Sequence, residues 1–179
     1  MKSKSINITW LEYRGKIEKK PYSDDKYKIS HPHSINIDEY KEIYEKVGKK
    51  YSWFGRSNMR SIDLKKIILN EKVEIHLIKK DRESIGFYEI DYTNDYLKEK
   101  ELRIVHFGLV DKYIGNGLGI KLMNAVITRA YRLNIDKIIL QTNSLDHKRA
   151  LPFYKEYGFE IFATEKKDLI LSLIHIWRC

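Results

Sequence analysis

The chain has 179 residues, 42% of them hydrophobic and 33% charged, with 34 Lys and Arg against 25 Asp and Glu for a formal charge of +9. That length suits one domain with a sizeable core, and the composition is that of a soluble globular protein. No apolar run approaches the roughly 20 residues of a membrane helix, and the start Met-Lys-Ser-Lys-Ser-Ile-Asn-Ile lacks the apolar core of a signal peptide, so a cytoplasmic protein with no membrane partner is expected.

In chain order, Ile6–Tyr13 alternates as a first strand. Residues 14–36 carry Gly15, Pro21, Pro32 and many charges and read as a long loop. Ile37, Tyr40, Ile43, Tyr44 and Val47 recur at helical spacing, with Asn36 or Asp38 at the start and Gly48 at the stop. The aromatic loop Tyr51-Ser52-Trp53-Phe54-Gly55-Arg56 leads to Ser61 and a second helix carrying Leu64, Ile67, Ile68 and Leu69. Val73, Ile75 and Leu77 alternate as a strand, residues 81–84 turn, and residues 85–92 return as its hairpin partner. A polar connection over 93–100 precedes a strand over 101–110. A glycine turn then opens a helix with the stripe Leu122, Met123, Val126, Ile127 and Ala130. A strand over 137–143, a short helix around Ala150–Tyr157 and a closing strand complete the pattern, and Pro152 predicts a late start or a kink in that helix. The order β-α-α-β-β-β-α-β-α-β predicts an α/β domain with a mixed sheet, antiparallel in its first half and parallel in its β-α-β-α second half.

Residues 1–170 are read as this one domain. The last nine, Leu171-Ser-Leu-Ile-His-Ile-Trp-Arg-Cys179, match a translated sequencing-library adapter and are set apart from fold reasoning. The chain's one cysteine, Cys179, falls in that segment, so no disulfide, thiolate metal site or cysteine nucleophile is expected. The lysines are scattered rather than gathered into a basic arm and accompany an Ile-, Asn- and Tyr-rich composition, so coding bias and a basic ligand groove explain the charge better than a nucleic-acid partner. His31, His33 and His76 have no acidic or cysteine partners at ligand spacing along the chain, so no metal is expected.

The glycine turn Ile114-Gly115-Asn116-Gly117-Leu118-Gly119 leaves a strand and opens a helix. Successive backbone N–H groups and the positive helix end at such a turn suit a phosphate, and glycines let a ligand come close. A dinucleotide fingerprint needs a third glycine where Ile120 stands, and it belongs in the first βα unit of a parallel sheet. A triphosphate loop needs Gly-Lys-Ser/Thr, which is missing from the chain.

With these residues in view, the chain resembles the GNAT superfamily of N-acetyltransferases. The family's turn Arg/Gln-x-x-Gly-x-Gly/Ala falls on residues 114–119, with Ile114 in the place of Arg or Gln. Its later Asn-x-x-Ala-x-x-x-Tyr-x-x-x-Gly-Phe falls on His147 through Ala150, Tyr154, Gly158 and Phe159, with His147 in the place of Asn. A bacterial subgroup with Phe-Ile-Gly-Arg-Gly-Leu-Gly at the turn is similar over most of residues 6–165, and Asn116 stands where that subgroup has Arg.

The resemblance implies acetyl-CoA as co-substrate and a primary amine, on a small molecule or a protein, as acceptor, attacked directly in a ternary complex by a monomer or homodimer. A catalytically weak CoA-binding sensor or structural protein is the alternative. It implies a bulge near Phe107–Val110, a splay between strands 101–110 and 137–143, and a pantetheine arm pairing with Leu109 and Val110. Ile114, Gly115, Asn116, Gly117, Leu118 and Gly119 would hold the pyrophosphate, with Ile114 offering only its backbone. Tyr154 would be the general acid toward the leaving thiolate and a contact for the cofactor, although with Ala150, Phe153 and Tyr157 it also reads as the core face of a helix. Glu89 would face the cleft as general base, with Asp91 and His106 as alternatives. His147 would cap the last helix or line the cleft, and loops 14–36 and 48–62, Tyr51, Trp53 and Phe54 among them, would shape the acceptor pocket.

Overall fold

The computed structural model describes residues 3–22, 25–32, 35–93 and 100–170. His33, most of the 93–100 connection and the adapter-like segment 171–179 lie outside the described residues. The strands are β1 (Ser3–Tyr13), β2 (Tyr27–Ser30), β3 (Val73–Lys80), β4 (Glu83–Asp91), β5 (Glu101–Leu109), β6 (Lys137–Asn143) and β7 (Phe159–Ile170), and the helices are α1 (Ile37–Gly48), α2 (Ser61–Ile68), α3 (Leu118–Arg132) and α4 (Ala150–Tyr157). The seven strands form one mixed sheet in the order β2-β3-β4-β5-β6-β1-β7.

The sheet is covered on both faces because its central strands alternate two sets of apolar side chains. Ile75, Leu77 and Phe87 point to one face and pack with Tyr40, Ile43, Tyr44, Val47, Leu64 and Ile68 of α1 and α2. Ile78, Tyr88, Ile90, Leu102, Ile104, Ile138 and Leu140 join Leu122, Met123, Val126, Ile127 and Ala130 of α3 in the other core. The helical stripes expected for α1 and α3 are therefore the buried faces. Asn36 caps α1, its side chain accepting from the Asp38 N–H at 2.8 Å.

Three features depart from the sequence reading. The loop expected over 14–36 contains β2, which pairs with β3 from Tyr27↔Lys80 to Ser30↔Leu77; four half-exposed residues are too few to show a period against the charges around them. The parallel pairing of the β-α-β-α half is that of β5 with β6, as expected, and the closing strand β7 joins the sheet on β1, antiparallel. Pro152 neither delays nor ends α4: as its third residue it lies in the first turn, where its missing N–H has no helical acceptor to lose. The bulge lies earlier than Phe107–Val110. Glu89 pairs with His106 and Ile90 with Ile104, so the extra residue is Val105. The later position is closed to a bulge because the β4–β5 ladder continues in register to Gly86↔Leu109, and the Val110 N–H donates to Ile85 O at 2.8 Å.

The fully buried Leu122 ties α3 to the sheet. Leu122→Ala is expected to lower stability by about 2–5 kcal/mol, read as a lower urea midpoint with an unchanged m-value.

Candidate active site

The site lies where the sheet divides. Parallel pairing of β5 with β6 runs from Glu101↔Lys137 to Ile104↔Leu140 and stops there. Beyond that point β5 stays on β4 through Leu109, while β6 stays on β1, with Trp10↔Gln141, Thr9↔Thr142 and Ile8↔Asn143. The cleft that opens is lined by Tyr51, Trp53, His106, Phe107, Leu109, Ile114, Gln141, Asp146, His147 and Tyr154. Strand alternation gives β5 one polar edge toward β4 and one toward the cleft. Since the Val110 N–H faces β4, the backbone groups of Leu109 and Phe107 face the cleft.

The expected glycine turn stands at the end of this cleft. Gly115 (φ +92°) and Gly117 (φ +75°) take left-handed backbone conformations, and Gly117 directly precedes α3. A Cβ on Gly117 would meet nothing within 4 Å, and one on Gly115 would meet only Arg149 Nη1, at 3.8 Å. Sequence reasoning misses Arg149. It immediately precedes α4, far from the turn along the chain, and no sequence pattern ties it to Gly115.

Tyr154 is 8% exposed and lines the cleft from α4. Its ring stands edge-on to Phe107, at 6.1 Å and 66°, and to Phe153. Burial, and then the charge of Asp146, push its phenol well above the ordinary tyrosine value, so it remains protonated at neutral pH. Tyr154 thus packs on the core face of α4 and also borders the cleft. His147 lines the cleft edge-on to Tyr51; it does not cap α4, whose N-cap is Arg149, but accepts from the Arg149 N–H at 3.1 Å in the turn before it. Asp146 accepts from Trp53 Nε1 (3.1 Å), Thr142 Oγ1 (2.8 Å) and the Asn143 N–H (2.9 Å), and so fixes the Trp53 wall to the end of β6.

Glu89 is not at the cleft surface, contrary to expectation. It shares the Phe87 face of β4, and α1 and the 49–60 loop cover it completely. Its carboxylate accepts from Tyr40 Oη at 2.6 Å, Arg56 Nη2 at 2.8 Å and His106 Nδ1 at 3.0 Å. Burial alone would raise the Glu89 carboxyl, but His106, Arg56 and Tyr40 outweigh it and hold it at about 2. Of the three groups weighed as a base, His106 lines the cleft, whereas Asp91, at the far end of β4, caps the Thr93 N–H.

The histidines discounted as ligands do acquire an acidic neighbour. His31, Glu74 and His76 stand together, with His76 Nε2 2.8 Å from Glu74 and the two imidazoles stacked at 4.6 Å. Glu74 and His76 are two apart on β3 and so share a face. Arg129 forks onto Glu74 at 2.7 and 2.5 Å and supplies its countercharge from α3.

A carboxyl held low in the fold contributes stability that is complete above its unfolded value, near 4.5, and disappears as pH falls toward its folded value of about 2. Wild-type stability is therefore expected to fall between pH 5 and pH 2. Glu89→Gln is expected to be about 3–5 kcal/mol less stable at pH 7 and to show a shallower fall across that window, as measured by urea unfolding at pH 7, 4 and 3.

The acetyltransferase (GNAT) family profile matches residues 33–159, well over half of the chain. No curated protein matches. Among solved structures, a functionally unknown conserved protein from Staphylococcus epidermidis is 17% identical with a TM-score of 0.62, covering 93% of this chain and 61% of that one. This chain thus spans less than two thirds of that protein's length. A GNAT family acetyltransferase from Elizabethkingia anophelis, solved with acetyl-CoA bound, is 18% identical with a TM-score of 0.56, covering 78% of this chain and 80% of that one. A Bacillus subtilis acetyltransferase in complex with CoA is 22% identical with a TM-score of 0.57, covering 77% and 79%. At these identities the structural likeness is one of fold, but the profile match is extensive enough to identify the family: the chain belongs to the GNAT family of acetyltransferases.

Proposed function

We propose that this protein moves the acetyl group of acetyl-CoA to a primary amine by direct attack within a ternary complex. The observation that carries this reading is the end of β5–β6 pairing at Ile104↔Leu140, which leaves an unpaired strand edge between the open glycine turn and the buried phenol of Tyr154.

The residues present fit such a co-substrate. The backbone edge at Phe107 and Leu109 suits an extended pantetheine arm, which would pair there rather than with Val110, whose N–H is engaged by Ile85. Ile114 through Gly119 form the pyrophosphate cradle in this reading. The N–H groups of Leu118 and Gly119, in the first turn of α3, have no side-chain cap. Arg149 supplies a cation beside Gly115, where the Ile114 and Asn116 side chains supply none.

The chemistry follows from this placement. The neutral amine attacks the thioester carbonyl, forming the C–N bond. A cleft N–H of β5 holds the developing oxyanion. Collapse breaks the C–S bond, and Tyr154, kept protonated by its burial, gives its proton to the departing sulfur and recovers one from the new amide nitrogen.

Calorimetry with acetyl-CoA tests the cradle. Gly117→Glu is expected to abolish micromolar binding, because it sets an anion against the pyrophosphate, whereas Gly117→Asn, neutral and tolerant of a left-handed backbone, retains it. Equal loss in both would assign the effect to backbone strain instead. Tyr154→Phe is expected to bind acetyl-CoA normally and to lower kcat about 100-fold, followed by thiol release. A wild-type protein that binds acetyl-CoA and acetylates no amine would favour the CoA-binding sensor.

A further inference from the structure

We propose that His106 is the general base of the transfer reaction and that the buried Glu89 is its positioning residue; this rests on the acetyl-transfer reading above. The bulge at Val105 creates the pair. With the register that Ile90↔Ile104 sets, Val105 would oppose Glu89 and His106 would turn to the other face of the sheet. The extra residue instead brings His106 opposite Glu89, on the face covered by α1 and the aromatic loop.

The surroundings fit a base rather than a packing residue. His106 lines the cleft with Trp53 and Leu109, and its side chain keeps 10% exposure while that of Glu89 keeps none. Tyr44 stands edge-on to the imidazole at 5.0 Å, and Trp53 lies at 5.2 Å. Nδ1 is held by Glu89 at 3.0 Å, so proton exchange with a bound amine goes through Nε2. Glu89 cannot turn away, because Tyr40 and Arg56 hold its two oxygens from α1 and the aromatic loop. Among the described residues, the titratable and charged groups around the imidazole and its carboxylate include Glu89 from β4, Tyr40 and Tyr44 from α1, and Arg56 from the loop. His106 and Tyr154 come from opposite faces of the sheet and meet at the cleft from either side of the β5 edge, which gives the base to the amine and the acid to the thiolate.

The protons balance. His106 Nε2 takes one proton from the bound ammonium, which leaves the neutral amine to attack. The proton on the imidazolium passes to solvent after product forms, and the exchange at Tyr154 returns its phenol unchanged. The net products are amide, thiol and one proton.

The test is acetyl transfer by the full chain between pH 6 and 10, with acetyl-CoA and either spermidine or tyramine as probe amine, alongside calorimetry for acetyl-CoA. Wild type is expected to show kcat/KM rising to a plateau on an acid limb. In His106→Gln the plateau is expected to vanish: kcat/KM is about 100-fold lower at pH 7 and climbs with pH toward the amine's own pKa, where solution does the deprotonation. Acetyl-CoA affinity stays within twofold. Glu89→Asp retracts the carboxylate while keeping a charge for Arg56, and is expected to move the acid limb to lower pH. Wild-type activity in His106→Gln, or a loss of equal size at every pH, would overturn the proposal and leave the transfer reading intact. A wild-type protein that binds no acetyl-CoA, or binds it and acetylates neither amine, would sink the transfer reading and the base with it.

Discussion

A β-strand can pair on both edges only while its neighbours stay in step, and in this protein β5 is released from one neighbour and not from the other. The single extra residue, Val105, falls where β5 pairing to β6 ends, between Ile104↔Leu140 and Glu89↔His106. From there β5 follows β4 and β6 follows β1. The cleft, its exposed strand edge and the approach to the α3 N-terminus all follow from that division. A sheet with unbroken pairing would carry the same side chains and have no room for a ligand between its strands. The bulge also reverses the facing of β5, so one irregularity both opens the site and equips it with His106.

Burial of a carboxylate sets the second constraint. Glu89 lies in a layer of Phe87, Tyr40 and Tyr44 that excludes water, where an ionised group survives only with its lone pairs filled. Tyr40, Arg56 and His106 fill them from three separate parts of the chain. The arrangement fixes the aromatic loop to α1 and β4, and Asp146 fixes the same loop to the end of β6 through Trp53 Nε1. The Trp53 side of the cleft is therefore walled by a loop that is anchored at two buried or half-buried polar points, each of which restricts how the wall can move.

Much of the fold is legible in the amino-acid pattern. The stripes of α1 and α3, the β3–β4 hairpin and the strand over 137–143 have periods that local backbone geometry forces on any chain burying one face. The glycine turn is legible for a similar reason: positive φ at Gly115 and Gly117 is a local requirement with a local residue preference. The bulge is expected on β5 but several residues late, because its position depends on how far the partner ladder extends, and that is a property of β4 as much as of β5. β2 leaves no period in the sequence, since four residues on a sheet edge bury little.

Short windows of chain are enough to specify the order of elements, the GNAT resemblance, the phosphate-suited turn and the placement of Tyr154 on a helix beside it. Which polar residues meet is settled only by packing. Glu89 with Arg56 and His106, Asp146 with Trp53, Arg149 beside Gly115 and Glu74 between His76 and Arg129 are pairings across sheet faces and loop crossings. Periodicity reports which face a residue occupies, but the energetic need to satisfy a buried charge is met by whichever donors the packed fold brings within hydrogen-bond reach. Glu89 therefore reads in the sequence as a cleft-facing base and lies in the fold behind His106, held there by Tyr40 and Arg56.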